Sequence, residues 1–471
     1  MILFLLFIHG FVQTDAFLAE SVRARAVIDA VDRAEGDAEA RRNVRQIQIE
    51  YEGELDDPLQ SLAPDRPPNS QPIRVSAVLD PKGERVYQSI DAGIAGVVSV
   101  PAVSIYKNGT LYSLDTYRKW YTARSGPPDG AVNVTLRYLP PLVVDRLVRS
   151  RSSATYVGTT VVAGRKADQI EFSWNESTRY RASFDSRDHH LRELRLLSPN
   201  PFQGEDEVVV RYEGDAAIGP FWTAGCVTAY RRGSKYIRLC RKRATATNEA
   251  ADTPFDIPPA YSQAPSSTLR TEMIAPGIYE ISGLGDGFYR NQFIDTGDSV
   301  VVFDAVVGAA TAQRVIAEIK RTLPGKPIRF VVISHFHSDH ASGIGPYVAE
   351  GATIVTTRRN EAILTKYARG ARPKFLEVSS PRTLLPQGGG SLEVYQVPNS
   401  GHVEEMLVLY DPRTATIFDA DLFAEFFPFS PAYRQYARWL QSPSAPRVTS
   451  MAGVHHGLIQ AQHFFEMANA I

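Results

Sequence analysis

From Val44 to about Arg243 the chain alternates apolar and polar positions with the period of two that half-buried strands require. Ile47, Ile49 and Tyr51 interleave with Gln46, Gln48, Glu50 and Glu52, and comparable runs cover Gln169 to Trp174, Tyr180 to Phe184 and Leu191 to Leu197. Turn residues separate them. Asn108-Gly109 between Tyr106 and Leu111 is a hairpin signal, because a two-residue turn of this type needs positive φ at both central positions. Ala163-Gly164 and Arg232-Gly233 mark further turns. Ahead of the strands, Val22, Ala26, Ile28, Val31 and Ala34 recur at helical spacing until Gly36 interrupts them. Residues 18–250 therefore read as an antiparallel, β-rich domain.

The pattern lapses after Thr245. Ala, Thr, Pro and Ser dominate as far as Leu269, without a lasting period, which predicts a linker over 251–268. Strands and helices then mix. Gly277 to Ile281, Asn291 to Ile294, Ser299 to Phe303 and Pro327 to Ser334 read as strands. Thr311 to Leu323 reads as an amphipathic helix stopped by Pro324-Gly325. The expected fold class is α+β in two domains, the second (269–471) with paired sheets in its core and helices outside.

Chemistry concentrates at the strand exits of this second domain. Val331, Val332 and Ile333 lead directly into His335, His337, Asp339 and His340. Residues two apart on extended backbone point to one side, so His335 and His337 can share an ion while Asp339 and His340 turn toward a second. Imidazole and carboxylate ligands suit zinc and similar metals without any thiolate. Three later exits each add a candidate. His402 follows the run Leu392 to Val397, Asp419-Ala420-Asp421 follows Thr414 to Phe418, and His455-His456 follows Val448 to Val454. Each alone would be ordinary turn chemistry; together they complete a two-metal ligand set.

Net charge is −1 over 471 residues, so no polyanion-binding surface is expected and nucleic acid is not an expected partner. The apolar start, Met1 to Val12, is too short for a membrane span. It matches the hydrophobic stretch of an export signal, although no Lys or Arg precedes it. Residues 1–17 are therefore read as a signal peptide. The mature chain is expected without a transmembrane anchor, exported to the periplasm or secreted. Cys226 and Cys240 lie equidistant from Gly233, so a hairpin there sets the two thiols opposite each other. Either a disulfide, which suits an oxidising compartment, or two unbonded buried thiols fits that placement.

The sequence HFHSDH, residues 335–340, resembles the His-x-His-x-Asp-His signature of the metallo-β-lactamase-fold hydrolases. The resemblance extends over roughly residues 270–471 and implies an αββα sandwich. It implies His335, His337 and His402 on the first metal, and Asp339, His340 and His455 on the second. Asp421 in TIFDADLF would bridge the two, with Ala420 where the family usually has glycine and Asp419 as the competing carboxylate. His456 is the substitute for His455. Asp304 resembles an early aspartate that supports ligands rather than binding metal. The first half resembles the LolA-like half-barrels of periplasmic lipoprotein carriers, in VVAGRKADQIEFSW, YRASFDSRDHHLREL and FDIPPAY. That likeness leaves three roles open for the sheet: scaffold, cradle for an apolar ligand, or docking surface for a protein.

The resemblance implies a zinc-dependent hydrolase. Two ions about 3.5–4 Å apart turn a bridging water into hydroxide near neutral pH, and that hydroxide attacks an ester, lactone, thioester or related bond. Asp339 is the expected catalytic residue, orienting the hydroxide. Two alternatives belong to other classes: a mononuclear iron persulfide dioxygenase, and an exported carrier whose metal domain is vestigial. Small-molecule selection is expected from the loops Arg369 to Gly389 and Phe423 to Ser442. The latter is rich in aromatic residues and is read chiefly as core or interdomain packing.

Overall fold

The structure is a computed structural model. It describes residues 21–469 apart from 57–59, 83, 94–99, 127–136, 176–177, 201–203, 266–267 and 387–390. The proposed signal peptide lies outside the described residues. Among the described residues no helix is long and apolar enough to cross a membrane.

The first half is a single fourteen-stranded sheet made of two meanders and one short parallel edge strand, Ser262–Gln263. One runs from Gln46–Leu55 to Trp120–Ser125, the other from Thr155–Val162 to Ser234–Thr247. The first strand of one pairs antiparallel with the last strand of the other, Gln46 opposite Thr247 and Leu55 opposite Ile237, which fuses the meanders into one sheet. Asn108-Gly109, Ala163-Gly164 and Arg232-Gly233 each have positive φ at both positions, so all three close as two-residue hairpins of one type, with glycine at the second position. The last of them brings Cys226 opposite Cys240, and the two form a disulfide.

Residues from strands far apart in this sheet share one apolar cluster. Val75 and Phe184 share it with Ile28 and Val31 of the helix 21–34 and with Leu142 and Leu147 of the helix Pro140–Arg149. A sheet this wide can cover one common core on a single face only by curving around it. The helix 21–34 stops where the sequence placed its interruption. Gly36 has φ 107°, and a Cβ there would stand 2.3 Å from the Pro220 carbonyl oxygen. The stretch read as a linker is itself anchored to the sheet. Phe255 packs with Ile105 and Leu114, and Ser262–Gln263 pairs with Trp120 and Tyr121.

The second half is a four-layer sandwich. A seven-stranded sheet runs in chain order from Arg270–Ala275 to Lys374–Glu377, and a six-stranded sheet from Arg382–Leu384 to His456–Gln460. The strands Val300–Phe303 and Ile328–Val332 are parallel neighbours and almost wholly apolar, as strands buried on both faces must be. Ala312, Val315, Ile316 and Ile319 form the buried stripe of the helix Gly308–Thr322 on one outer face. The helices Pro431–Leu440 and Ala461–Asn469 cover the other, against Met406, Val408, Ile417 and Met451.

Two expectations need correction. Residues 369–389, expected as a substrate loop, contain the edge strands of both sheets, Lys374–Glu377 and Arg382–Leu384. Three or four residues with exposed ends are too short to show a period. The aromatic stretch 423–442 was read chiefly as packing, and it divides. Phe423, Tyr436 and Trp439 lie in the core under the second sheet, whereas Phe426 and Phe427 line the cavity described below.

Candidate metal centre

Five strand exits of the sandwich converge on one largely buried cluster. The strand Ile328–Val332 delivers His335, His337, Asp339 and His340; Glu393–Val397 is followed by His402, Thr416–Asp419 by Asp421, and Ser450–Gly453 by His455. The strand Val300–Phe303 adds Asp304 just behind them. Two groups of side chains have ligand atoms close enough to hold an ion each. They are His335, His337, His402 and Asp421, and Asp339, His340 and His455.

Asp421 joins the groups. Its Oδ1 stands 2.8 Å from His340 Nε2 and 3.0 Å from His455 Nε2, on the second group. Its Oδ2 stands 3.0 Å from His402 Nε2 and 3.9 Å from His335 Nε2, on the first. Asp339 Oδ2 lies 3.4 Å from His340 Nε2.

Four of the five imidazoles are tied at one nitrogen and present the other to the site. His340 Nδ1 pairs with Asp304 Oδ2 at 2.9 Å, His455 Nδ1 donates to the Phe288 carbonyl at 2.9 Å, and His335 Nδ1 meets Ser334 Oγ at 2.9 Å. His337 Nε2 donates to the Ser61 carbonyl at 2.8 Å. Such outer contacts fix the tautomer and aim of a metal-ligating ring. Asp304 also accepts from the Ser334 amide and hydroxyl at 2.7 and 2.8 Å, so it holds the loop as well as the ring.

The inward-facing atoms fit metal ions. His335 Nε2 is buried without a hydrogen-bond partner, His337 Nδ1 faces His402 Nε2 at 3.0 Å, and His340 Nε2 faces His455 Nε2 at 3.3 Å. Burial and neighbouring histidines hold the His335 ring well below its ordinary pKa, and burial with His402 takes His337 down to about 3. Burial pushes the Asp421 carboxyl up, but His340, His402 and His455 outweigh it and hold it well below the usual range. His335 and His337 are thus neutral and Asp421 ionised, as ligands must be. Burial pulls the His340 pKa down, but Asp421, Asp339 and Asp304 outweigh it and hold it well above its ordinary value; a bound cation would displace that proton.

His456 and Asp419 stand apart from both groups. His456 Nε2 meets Asp419 Oδ1 at 3.2 Å and its Nδ1 meets the Gly457 carbonyl at 2.8 Å, so neither nitrogen is open toward the centre. Both residues are fully buried. Of the two adjacent histidines, the geometry brings His455 to the ligand cluster.

Several residues at the centre carried no signal in the sequence. Tyr289 Oη donates to Asp339 Oδ2 at 3.1 Å, and burial with the charges of Asp339 and Asp421 raises its phenol well above the ordinary value. Gln60 Nε2 donates to Asp339 Oδ1 at 2.9 Å. Gln60 and Ser61 belong to the first half of the chain and reach the centre from the connection between Gln46–Leu55 and Gln71–Leu79. A cavity of about 590 Å³ opens above Asp339, His402, Asp421 and His455, lined from both halves.

A family model described as ODP family beta lactamase matches residues 288–470, which include every one of these ligand candidates. Over that region the chain is similar to the ODP family beta lactamases. Among curated proteins the chain is 23% identical over 212 residues to the alpha subunit of 2,4-dinitroanisole O-demethylase from Nocardioides sp. The alignment covers 45% of this chain and 61% of that one. It is 31% identical over 77 residues to an alkyl/aryl-sulfatase of Saccharomyces cerevisiae, covering 16% of this chain and 12% of that one. The chain thus spans less than two thirds of the length of either. Among solved structures, a metallo-β-lactamase from Pontibacter korlensis aligns with a TM-score of 0.37 at 20% identity, over 43% of this chain and 97% of that one.

Proposed function

We propose that the protein is a hydrolase with a dinuclear zinc centre, acting on an ester, lactone, thioester or related bond. The observation that carries this reading is the division of Asp421 between the two ligand groups, Oδ1 toward His340 and His455 and Oδ2 toward His402. A carboxylate so placed suits a pair of cations, because its charge offsets their repulsion. His335, His337 and His402 would hold one ion; Asp339, His340 and His455 would hold the other. Such ions acidify a water to hydroxide near neutral pH and polarise the oxygen of the bond to be cleaved.

The remaining work falls to the chain. Asp339, braced by Gln60, orients the attacking oxygen toward the carbonyl carbon. The bond from that carbon to the leaving oxygen or sulfur breaks, and the leaving atom takes the proton. Tyr289 keeps its phenolic proton and, by donating a hydrogen bond to Asp339 Oδ2, helps to hold that carboxylate in place. The curated relatives are named for an aryl methyl ether and for alkyl and aryl sulfates, which supports reaction at a bond to oxygen.

Elemental analysis of protein expressed with both zinc and iron available tests the reading. About two zinc per chain, with hydrolysis in an ester, lactone and thioester panel that His337→Ala abolishes, is the expected result. One iron per chain with oxygen uptake on persulfides would replace the hydrolase with an iron dioxygenase. A chain that retains no metal would leave a carrier.

A further inference from the structure

The cavity above the metal centre has two walls from different halves of the chain. Leu55, Ile90, Ala92, Ala102 and Leu114 line it from the fourteen-stranded sheet and its connections. Phe288, Phe426 and Phe427 line it from the sandwich. Its polar lining away from the ligands is mostly uncharged: Gln60, Asn69, Gln71 and Thr116. No Lys or Arg lines it among the described residues. The one further carboxylate, Asp115, is paired with Arg118, whose Nε stands 2.5 Å from it.

The walls are fastened to each other on two sides. On one, Gln60 and Ser61 bond Asp339 and His337, the Leu62 carbonyl accepts from the Glu404 amide at 2.8 Å, and Arg66 pairs with Glu404 at 2.8 Å. On the other, the Arg118 guanidinium lies over the rings of Phe288 and Phe426 at 5.7 and 5.5 Å. The cavity is therefore preformed, within the ordinary size range of small-ligand sites.

From this we infer that the first half of the chain is the specificity wall of the catalytic site. It seats the apolar, uncharged part of the substrate along Ile90, Ala92 and Ala102 while the scissile bond lies over the metal centre. The substrate class is a neutral ester or lactone carrying an apolar chain or ring. An anionic tail would meet apolar carbon, with Arg118 already paired to Asp115, whereas each methylene withdrawn from water there adds to binding. The inference rests on the hydrolase reading for the chemistry, but the apolar seat can be measured without it.

Ala102 is exposed at the start of the strand Ala102–Lys107, so a larger side chain there fills the cavity without entering a core. The test uses the full-length, zinc-loaded protein and Ala102→Trp, with p-nitrophenyl acetate and octanoate and with Nile red, a neutral fluorescent probe. The expected result is a loss of about tenfold or more in kcat/KM for the octanoate, a clearly smaller loss for the acetate, and a matching loss of Nile red affinity. Equal turnover of both esters by the native protein, or an equal effect of the variant on both, overturns the inference and leaves the hydrolase standing. If neither ester is cleaved, the hydrolase reading fails separately. Nile red binding that Ala102→Trp weakens then still supports the apolar seat, and binding that is absent or unaltered overturns it.

Discussion

The backbone carbonyl of Ser61 accepts a hydrogen bond from His337 Nε2 at 2.8 Å, across 276 residues of sequence. A carbonyl can only accept, so His337 carries its proton on Nε2 and keeps the Nδ1 lone pair for the centre. The neighbouring Gln60 does the same for Asp339, donating to Oδ1 and leaving Oδ2 toward His340. The fourteen-stranded half thus supplies outer contacts to one ligand in each of the two groups.

Replacing Gln60 with leucine removes one of these contacts at similar size. The Asp339 carboxylate then loses a donor that fixes its orientation, and losing a partner behind a metal ligand costs about 10- to 100-fold in metal affinity. Gln60→Leu should weaken one of two bound zinc ions by about tenfold in a competition titration with a chromogenic chelator. Loss of both ions to the same degree, or of neither, would argue that Gln60 does not act through Asp339.

Asp304 should matter more. It is fully buried and accepts three hydrogen bonds, from the Ser334 amide, the Ser334 hydroxyl and His340 Nδ1. Asp304→Ala strands those donors in the core, at a cost of about 3 kcal/mol. It also frees the His340 ring. A fall in urea midpoint together with zinc loss is expected, and Asp304→Asn should recover part of the stability but less of the metal. A variant that kept full zinc content would remove Asp304 from its supporting role.

The ligand candidates were legible because each stands at the exit of a strand whose apolar run is visible locally, as Val331 to Ile333 before His335. Their outer partners were legible only where they share that logic, as Asp304 does after Val300–Phe303. Gln60, Ser61 and Tyr289 have no such mark. Their roles arise from a tertiary approach that no local period encodes. The same limit explains the aromatic stretch. Phe423 and Phe426 are alike in sequence context, yet one is buried among Tyr433 and Phe464 and the other meets Phe288 edge-on in the cavity wall. Chain reversal between them decides which side each ring takes.

The disulfide gives a separate prediction about stability. Cys226 and Cys240 close a loop with a sequence separation of 14, for which loss of loop-closure entropy in the unfolded chain is worth about 3 kcal/mol. Reductant should lower the melting temperature of the native protein to that of a Cys226→Ala/Cys240→Ala variant, which reductant should leave unchanged. A native protein indifferent to reductant would mean that the bond adds nothing beyond the hairpin pairing already present.

Glu35 makes the stability depend on pH through a group far from the metal. Its side chain is 2% exposed, and Oε2 has no hydrogen-bond partner. Burial, helped by Asp32 and opposed by Arg41, pushes the carboxyl from the ordinary 4.5 up to about 8. Between these values the folded protein keeps a proton that the unfolded chain has released, so the folded state binds more protons there. Stability must then fall as pH rises from about 4.5 through 8, and this contribution levels off above that. Glu35→Gln preserves the shape and cannot ionise, so it should flatten that slope and be the more stable form near pH 8. Urea unfolding of both proteins across this range reads the difference directly. Parallel curves for the two would show that Glu35 is not held protonated in the fold.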